Sequence, residues 1–131
     1  MTLVVDASVL VEFLLGSGKG RAVTSHFAEH DGALHAPELI IAETLSALRA
    51  LERREFIGRE RSTQASLDLV DVPLNLYPSE PLSRRVWSLR GSITVYDAHY
   101  VALAEALDAP LITGDRKLGA AAQGLISLIY P

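Results

Sequence analysis

The sequence predicts an α/β protein, a parallel sheet with helices on both faces. Three observations carry that prediction. Short apolar runs alternate with longer segments of helical periodicity. The first run, Thr2-Leu3-Val4-Val5, is apolar and β-branched and stops at a carboxylate, Asp6, as a strand buried on both faces does. A length of 131 residues, 49% hydrophobic and 21% charged, fits one soluble globular domain over 1–131.

The elements follow in order. Val9, Leu10, Phe13 and Leu14 mark a helix over 7–15, which Gly16-Ser17-Gly18 ends. A second helix is expected over 19–30, with Ala22, Val23, Phe27 and Ala28 inward. Asp31-Gly32 is a turn signal, and Ala33-Leu34-His35 a short strand. Pro37 suits the first turn of a helix and is expected to open a long one over 37–54. Another helix is predicted over 59–70, then a strand at Asn75-Leu76-Tyr77 and a helix over 79–90 closed by Gly91. A helix over 94–107 leads to a strand over 110–113. Gly114-Asp115 introduces a short helix ending near Ala122, and a last strand spans 125–130. No repeat, low-complexity tract or linker is visible.

Composition removes several function classes. There is no cysteine, so neither a disulfide framework nor a thiolate metal site is possible. The start has no basic n-region or cleavage site, and no apolar run approaches about 18 residues. No signal peptide or membrane span is expected, and the expected location is cytoplasmic. The net charge of −4 argues mildly against a nucleic-acid binder. The cations are unevenly placed, however. Lysine occurs only at Lys19 and Lys117. Arg49, Arg53, Arg54, Arg59 and Arg61 crowd one region, and Arg84, Arg85 and Arg90 another. Arginine suits bidentate phosphate contacts. With Glu52, Glu55 and Glu60 interleaved, the first group also reads as a solvated helix face.

Three acids stand at strand exits or helix starts: Asp6, Asp97 and Asp115. Each, taken singly, has the position of an N-cap, and Thr94-x-x-Asp97 has the form of a capping box. Glu43 has no such duty. The apolar residues of Leu39-Ile40-Ile41-Ala42-Glu43-Thr44-Leu45-Ser46-Ala47-Leu48 run nearly all round a helical wheel, which predicts a mostly buried helix. A lone carboxylate there costs several kcal/mol unless paired or bound to metal. An arginine is one possible partner. A divalent cation accounts better for the set, because grouped carboxylates repel one another and Mg²⁺ or Mn²⁺ takes oxygen ligands. His26 and His30 are spaced i, i+4, but with no Glu beside them and no third ligand they read as a wet helix face rather than a zinc site. Trp87, with Val86 and Leu89, reads equally as core or as a homodimer patch.

Four segments together resemble PIN domains, specifically the VapC-type toxins of bacterial toxin–antitoxin pairs. They are Val4-Val5-Asp6-Ala7-Ser8-Val9-Leu10; Ala36-Pro37-Glu38-Leu39-Ile40-Ile41-Ala42-Glu43-Thr44-Leu45; Tyr96-Asp97-Ala98-His99-Tyr100-Val101-Ala102-Leu103-Ala104; and Leu111-Ile112-Thr113-Gly114-Asp115-Arg116-Lys117-Leu118. They come in the family's order and span the chain. One position departs: many members have Asn three residues after the glutamate, where this chain has Ser46.

The resemblance implies a three-layer α/β/α sandwich with a central parallel sheet of four to five strands. It implies an Mg²⁺- or Mn²⁺-dependent endoribonuclease inhibited by a cognate VapB-type antitoxin, with a homodimer and a higher-order toxin–antitoxin complex expected. Matched by position, Asp6, Glu43, Asp97 and Asp115 would form the catalytic and metal-binding cluster, Asp6 and Asp97 being the foremost ligands. Ser8 and Thr113 would support it. Arg116, Lys117, Arg84 and Arg85 are candidates for contacts to RNA phosphates. The alternative is a PIN-fold protein-binding module with little nuclease activity. An apolar groove along the helices over 7–15, 19–30 and 37–54 would suit an antitoxin helix, unless those faces make the core. A phosphatase of the haloacid-dehalogenase type needs Asp-x-Asp after the first strand, and position 8 is serine.

Overall fold

A computed structural model describes residues 2–16 and 19–131. The sheet has five parallel strands: β1 (Leu3–Val5), β2 (Leu34–Pro37), β3 (Asn75–Tyr77), β4 (Leu111–Ile112) and β5 (Leu128–Ile129). Their order is β3-β2-β1-β4-β5. Helices α1 (Ala7–Leu15), α2 (Gly20–Glu29), α3 (Ile40–Arg53), α4 (Arg59–Leu69), α5 (Ser83–Ser88), α6 (Val95–Leu107) and α7 (Arg116–Ala122) flank it. The result is the expected three-layer α/β/α arrangement.

β1 is central, and Leu3, Val4 and Val5 are wholly buried. Burying side chains of this kind contributes about 1.5–3 kcal/mol each. From β1 the chain builds outward through β2 and β3, then returns to β4 on the other side. The order therefore reverses between β1 and β4, and a crevice opens at the carboxyl ends of two such strands. Asp6 and Thr113 lie at those ends. The ladder there is continuous: Asp6 N–H donates to the Ile112 carbonyl at 3.1 Å, and Thr113 N–H to that of Ile129 at 3.0 Å.

α6 supplies the largest share of helical core. Its residues Ala98 through Ala104 are all buried, and it packs against β1, β2 and β4, with α5 against it. On α1 and α2 the apolar faces make core rather than a groove: Val9, Leu10, Val23 and Phe27 are buried, and the Phe13 and Phe27 rings stand 4.7 Å apart. No described helix is long and apolar enough to cross a membrane.

Several sequence expectations are corrected. Pro37 ends β2 instead of opening α3. It needs no N–H there, because the next ladder bond comes from Glu38 N–H to the Tyr77 carbonyl at 2.7 Å. In α2 the inward stripe is Gly20, Val23 and Phe27, and Ala22 and Ala28 face solvent. α3 is amphipathic, not buried all round: Ile40, Thr44 and Leu48 face in, while Leu45 is 42% exposed. The helix expected over 79–90 is broken into a 3₁₀ turn at Glu80–Leu82 and α5, with Pro81 inside the turn. Gly91 is not among the glycines with positive φ. Gly16 does close α1 in the left-handed region, φ 63°, and Ser17 and Gly18 lie outside the described residues. The strand at Asn75–Tyr77 falls where expected and β2 runs two residues further than expected, whereas β4 and β5 keep only two residues each of the runs expected over 110–113 and 125–130. His30 is buried, its Nδ1–H donating to the His26 carbonyl at 2.8 Å, while His26 stays part-exposed. Trp87 is not core. It is 62% exposed, with the Arg90 guanidinium 4.5 Å over its ring.

Candidate active site

Asp6 is the best-supported side chain of the site. It is buried at the exit of β1 and caps α1, its Oδ1 accepting from Ala7 N–H at 2.8 Å. Its Oδ2 accepts from the Ser8 hydroxyl at 2.8 Å and the Thr113 hydroxyl at 2.7 Å. Both hydroxyls also accept: Ser8 Oγ from Gly114 N–H at 3.1 Å, Thr113 Oγ1 from Asp115 N–H at 2.9 Å. A backbone N–H can only donate, and a hydroxyl has one proton. Each of those protons is therefore committed to Asp6 Oδ2, which has no room for a proton of its own. The two short motifs around Ser8 and Thr113 thus favour the charged form of Asp6.

Burial opposes them. Desolvation is the largest influence on Asp6 and pushes its pKa up; the bonds from Thr113, Ser8 and Ala7 pull it down, and the charge of Asp115 adds a further push. The net direction is upward. A carboxylate so equipped with donors yet so reluctant to ionise calls for positive charge nearby.

Asp115 caps α7, its Oδ1 accepting from Lys117 N–H at 3.0 Å and Leu118 N–H at 3.1 Å. Asp97 sits in the first turn of α6, where its N–H donates to Thr94 Oγ1 at 3.2 Å. Asp6 and Asp115 are thus caps, whereas at α6 the cap is Thr94 and the Asp97 carboxylate makes no return bond to it among the described residues. Capping leaves carboxylate oxygens over. Asp6 Oδ1 keeps one lone pair, and Asp115 Oδ2 accepts no hydrogen bond among the described residues. The pKa of Asp97 is raised, by burial first and then by Asp6 and Asp115, against the pull of Thr94 and Lys117.

Glu43, half-buried on α3, has a partner that is neither arginine nor any other cation. Tyr100 donates to its Oε1 at 2.6 Å. Burial raises the pKa of Glu43; Tyr100 lowers it; Asp6 and Asp97 raise it; His99 lowers it. The Tyr100 hydroxyl, buried against this carboxylate, is driven far above its ordinary pKa and stays a donor. Tyr100 and His99 are the residues that sequence reasoning missed. The available signal was Asp97-x-x-Tyr100, a spacing that puts both on one face of α6.

The four acids thus form one electrostatic neighbourhood. Asp6 acts on Glu43 and Asp97, and Asp115 acts on Asp6 and Asp97. Among the described residues no three acidic or imidazole side chains converge tightly enough to hold an ion by direct contact alone. The donor set is still chemically suited to a hard cation: it is all oxygen, with unused lone pairs, and Mg²⁺ keeps several waters in its shell. An open groove of about 480 Å³ runs to Glu43 along α3, lined by Ala42, Ser46, Ala47, Ala50 and Tyr96. Ser46 lines this groove and makes no hydrogen bond to the acids among the described residues.

The candidate cations divide. Lys117 lies close enough to act on Asp97. Arg116 adjoins Asp115 and is exposed. Arg85 is engaged elsewhere, in a two-pronged bond to Glu105: Nε to Oε1 at 2.7 Å and Nη2 to Oε2 at 2.8 Å. Glu105 is eight residues beyond Asp97, roughly 12 Å along the helix. Arg84 is exposed near Arg85, and the structure does not bring either into the cluster.

The PIN-domain family profile matches residues 3–124. The chain belongs to the PIN-domain family. Among this PIN domain's relatives, ribonuclease VapC1 of Mycobacterium tuberculosis is 43% identical over 120 residues, covering 90% of this chain and 89% of the relative. Ribonuclease VapC9 of the same organism is 38% identical over 116 residues, 88% of this chain and 87% of the relative. Among solved structures, the fold is shared with VapBC2 from Rickettsia felis bound to a DNA fragment from its promoter, with TM-score 0.71 and 14% identity, covering 99% of this chain and 98% of that one. The domain has in place all four acids and both hydroxyls that the resemblance singled out.

Proposed function

We propose that this PIN domain is an Mg²⁺- or Mn²⁺-dependent endoribonuclease and the toxin of a toxin–antitoxin pair. The observation that carries the reading is Asp6: two hydroxyls with no other use for their protons favour its charged form, among three further carboxylates, at the sheet's switch point. The relatives named as ribonucleases, similar over nine-tenths of the chain, support it. The VapBC complexes among its structural neighbours favour a VapB-type antitoxin as partner. Homodimerisation is part of the same proposal.

Asp6 and Asp97 would hold the metal, directly or through water, with Glu43 and Asp115 completing the negative charge. A bound divalent ion supplies Lewis acidity, lowering the pKa of a water and neutralising charge on a phosphate. The chain's own residues do the rest. Ser8 and Thr113 donate to Asp6 and favour its deprotonated form against burial. Tyr100 orients Glu43, leaving Oε2 free to accept a proton from an attacking water. Lys117 offsets the carboxylate charge that would otherwise repel RNA, and exposed cations beside it contact backbone phosphates with little sequence choice.

The test is cleavage of RNA by the purified chain with Mg²⁺ or Mn²⁺, with EDTA, and by Asp6→Ala. Cleavage lost in the last two supports the proposal. Undiminished cleavage by Asp6→Ala or in EDTA would refute it.

A further inference from the structure

Arg116 holds its guanidinium 3.8 Å from the centre of the Tyr130 ring, over its face. The ring lies in turn against Gly119, one turn further along α7. A Cβ on Gly119 would stand 2.8 Å from Tyr130 Cζ and closer still to the hydroxyl, so only glycine admits the ring. Helix backbone, ring and guanidinium form one stack across the β4–α7–β5 unit. Among the described residues no carboxylate lies within ion-pair reach of Arg116. Stacking on a ring occupies one face of a guanidinium and leaves its edge donors open. It also confines a side chain that otherwise spreads over many rotamers. Arg116 directly follows Asp115, so the stack stands beside one of four carboxylates that together repel a polyanion.

We propose that Tyr130, seated on Gly119, is a positioning residue that holds Arg116 ready for a phosphate of the RNA strand flanking the scissile one. Phosphate is the ligand this geometry favours: a planar fork of donors, already oriented and uncompensated, matches a phosphate's oxygens in two-pronged fashion. The inference rests on the nuclease reading above and adds to it a residue outside all four motifs.

The probe is a pool of short random-sequence single-stranded RNAs. Cleavage kinetics are read on the parent chain and its variants. Affinity as a function of salt is read on the same variants carrying Asp6→Ala, which leaves the RNA intact. Tyr130→Leu should raise KM about two- to five-fold with kcat unchanged, the size of a surface cation–π contact. Tyr130→Phe keeps the ring and should restore KM relative to Tyr130→Leu; Gly119→Ala should move KM in the direction of Tyr130→Leu. Arg116→Ala should reduce the slope of log affinity against log salt by about 0.7, one phosphate contact on a single strand. In the Arg116→Ala background Tyr130→Leu should change nothing further, since Tyr130 acts only through that side chain. An equal effect in both backgrounds, an unchanged KM, or a loss confined to kcat would overturn the proposal while leaving the nuclease reading in place. If the parent chain itself fails to cut, the nuclease reading fails and takes this one with it.

Discussion

Tyr100 on α6 reaches Glu43 on α3 across 57 positions of sequence, its hydroxyl 2.6 Å from the carboxylate. The bond joins two helices that share no loop, and it gives a half-buried acid its partner. Tyr100→Phe keeps the packing of a fully buried ring and removes only the donor. The bond lowers the pKa of Glu43, so its loss must raise that pKa further. The acid limb of kcat/KM is expected to move to higher pH. Stability should fall by about 1 kcal/mol, at the low end for a deprived acceptor because Glu43 remains partly in water. A pH–rate profile and a urea titration check the two outcomes.

Thr113 makes the corresponding test at Asp6. Its hydroxyl is the strongest influence holding that carboxyl down against burial. Thr113→Val fills the same space without the donor, and also strands Asp115 N–H. The folded protein should lose about 1–3 kcal/mol, and the pH below which cleavage fails should rise. Thr113→Ser retains the hydroxyl and should behave as the parent protein in the same profile.

The metal-free protein should gain stability as the pH is lowered from neutral. Asp6, Glu43 and Asp97 all have folded-state pKa values above their ordinary ones. The folded state therefore binds protons more tightly than the unfolded state, and the stability this gives is lost as pH rises through the raised values. Melting temperatures followed from pH 7 towards the ordinary carboxylate range should rise without metal. The increase produced by Mg²⁺ or Mn²⁺ should be largest at neutral pH and shrink as the acids take up protons. A metal-induced increase that does not vary with pH would contradict the linkage.

Asp97→Asn should separate stability from function. Asp97 has the fewest structural duties of the cluster, since the cap of α6 is Thr94. Removing its charge relieves repulsion from Asp6 and Asp115. The metal-free variant is expected to be more stable than the parent by about 1 kcal/mol in a denaturant melt, while the metal-dependent gain and RNA cleavage are both lost.

Arg85 and Lys117 should differ although both are exposed cations. Arg85 is tied to Glu105 at the far end of α6; its replacement by Ala should cost at most about 1 kcal/mol of stability, as exposed ion pairs do. Lys117 lies beside Asp97, and Lys117→Ala should weaken RNA binding more than Arg85→Ala does. Filter binding at two salt concentrations reads the contrast.

Much of this architecture was legible because local signals and tertiary roles coincide. Asp6 and Asp115 each end a short apolar strand and begin a helix, so the cap that shapes the turn also aims the carboxylate at the crevice. Asp97 stands in the first turn of α6, behind its Thr94 cap. Ser8 is two residues from Asp6, which it serves, and Thr113 two residues before Asp115, so both positions could be matched from motifs, although Thr113 donates across the sheet to Asp6. The bond from Tyr100 to Glu43 was not legible, because nothing in either segment specifies how α6 crosses α3. α3 was misread for a related reason: its apolar wheel describes what side chains tolerate, whereas the sheet decides that Ile40, Thr44 and Leu48 face inward. Pro37 satisfied two rules, for strand ends and for helix starts, and pairing with Tyr77 selected the first.

The Thr113 hydroxyl that holds Asp6 comes from 107 residues further along the chain. During synthesis Asp6 leaves the ribosome early and waits. Its second donor, the strand beside it and the acid at position 115 are all made more than a hundred residues later. A nascent or prematurely ended chain lacking β4 carries three of the acids and none of the arrangement. Assembly of the cluster is thus timed by topology to follow synthesis of β4, well after β1 and its neighbouring helices have left the ribosome.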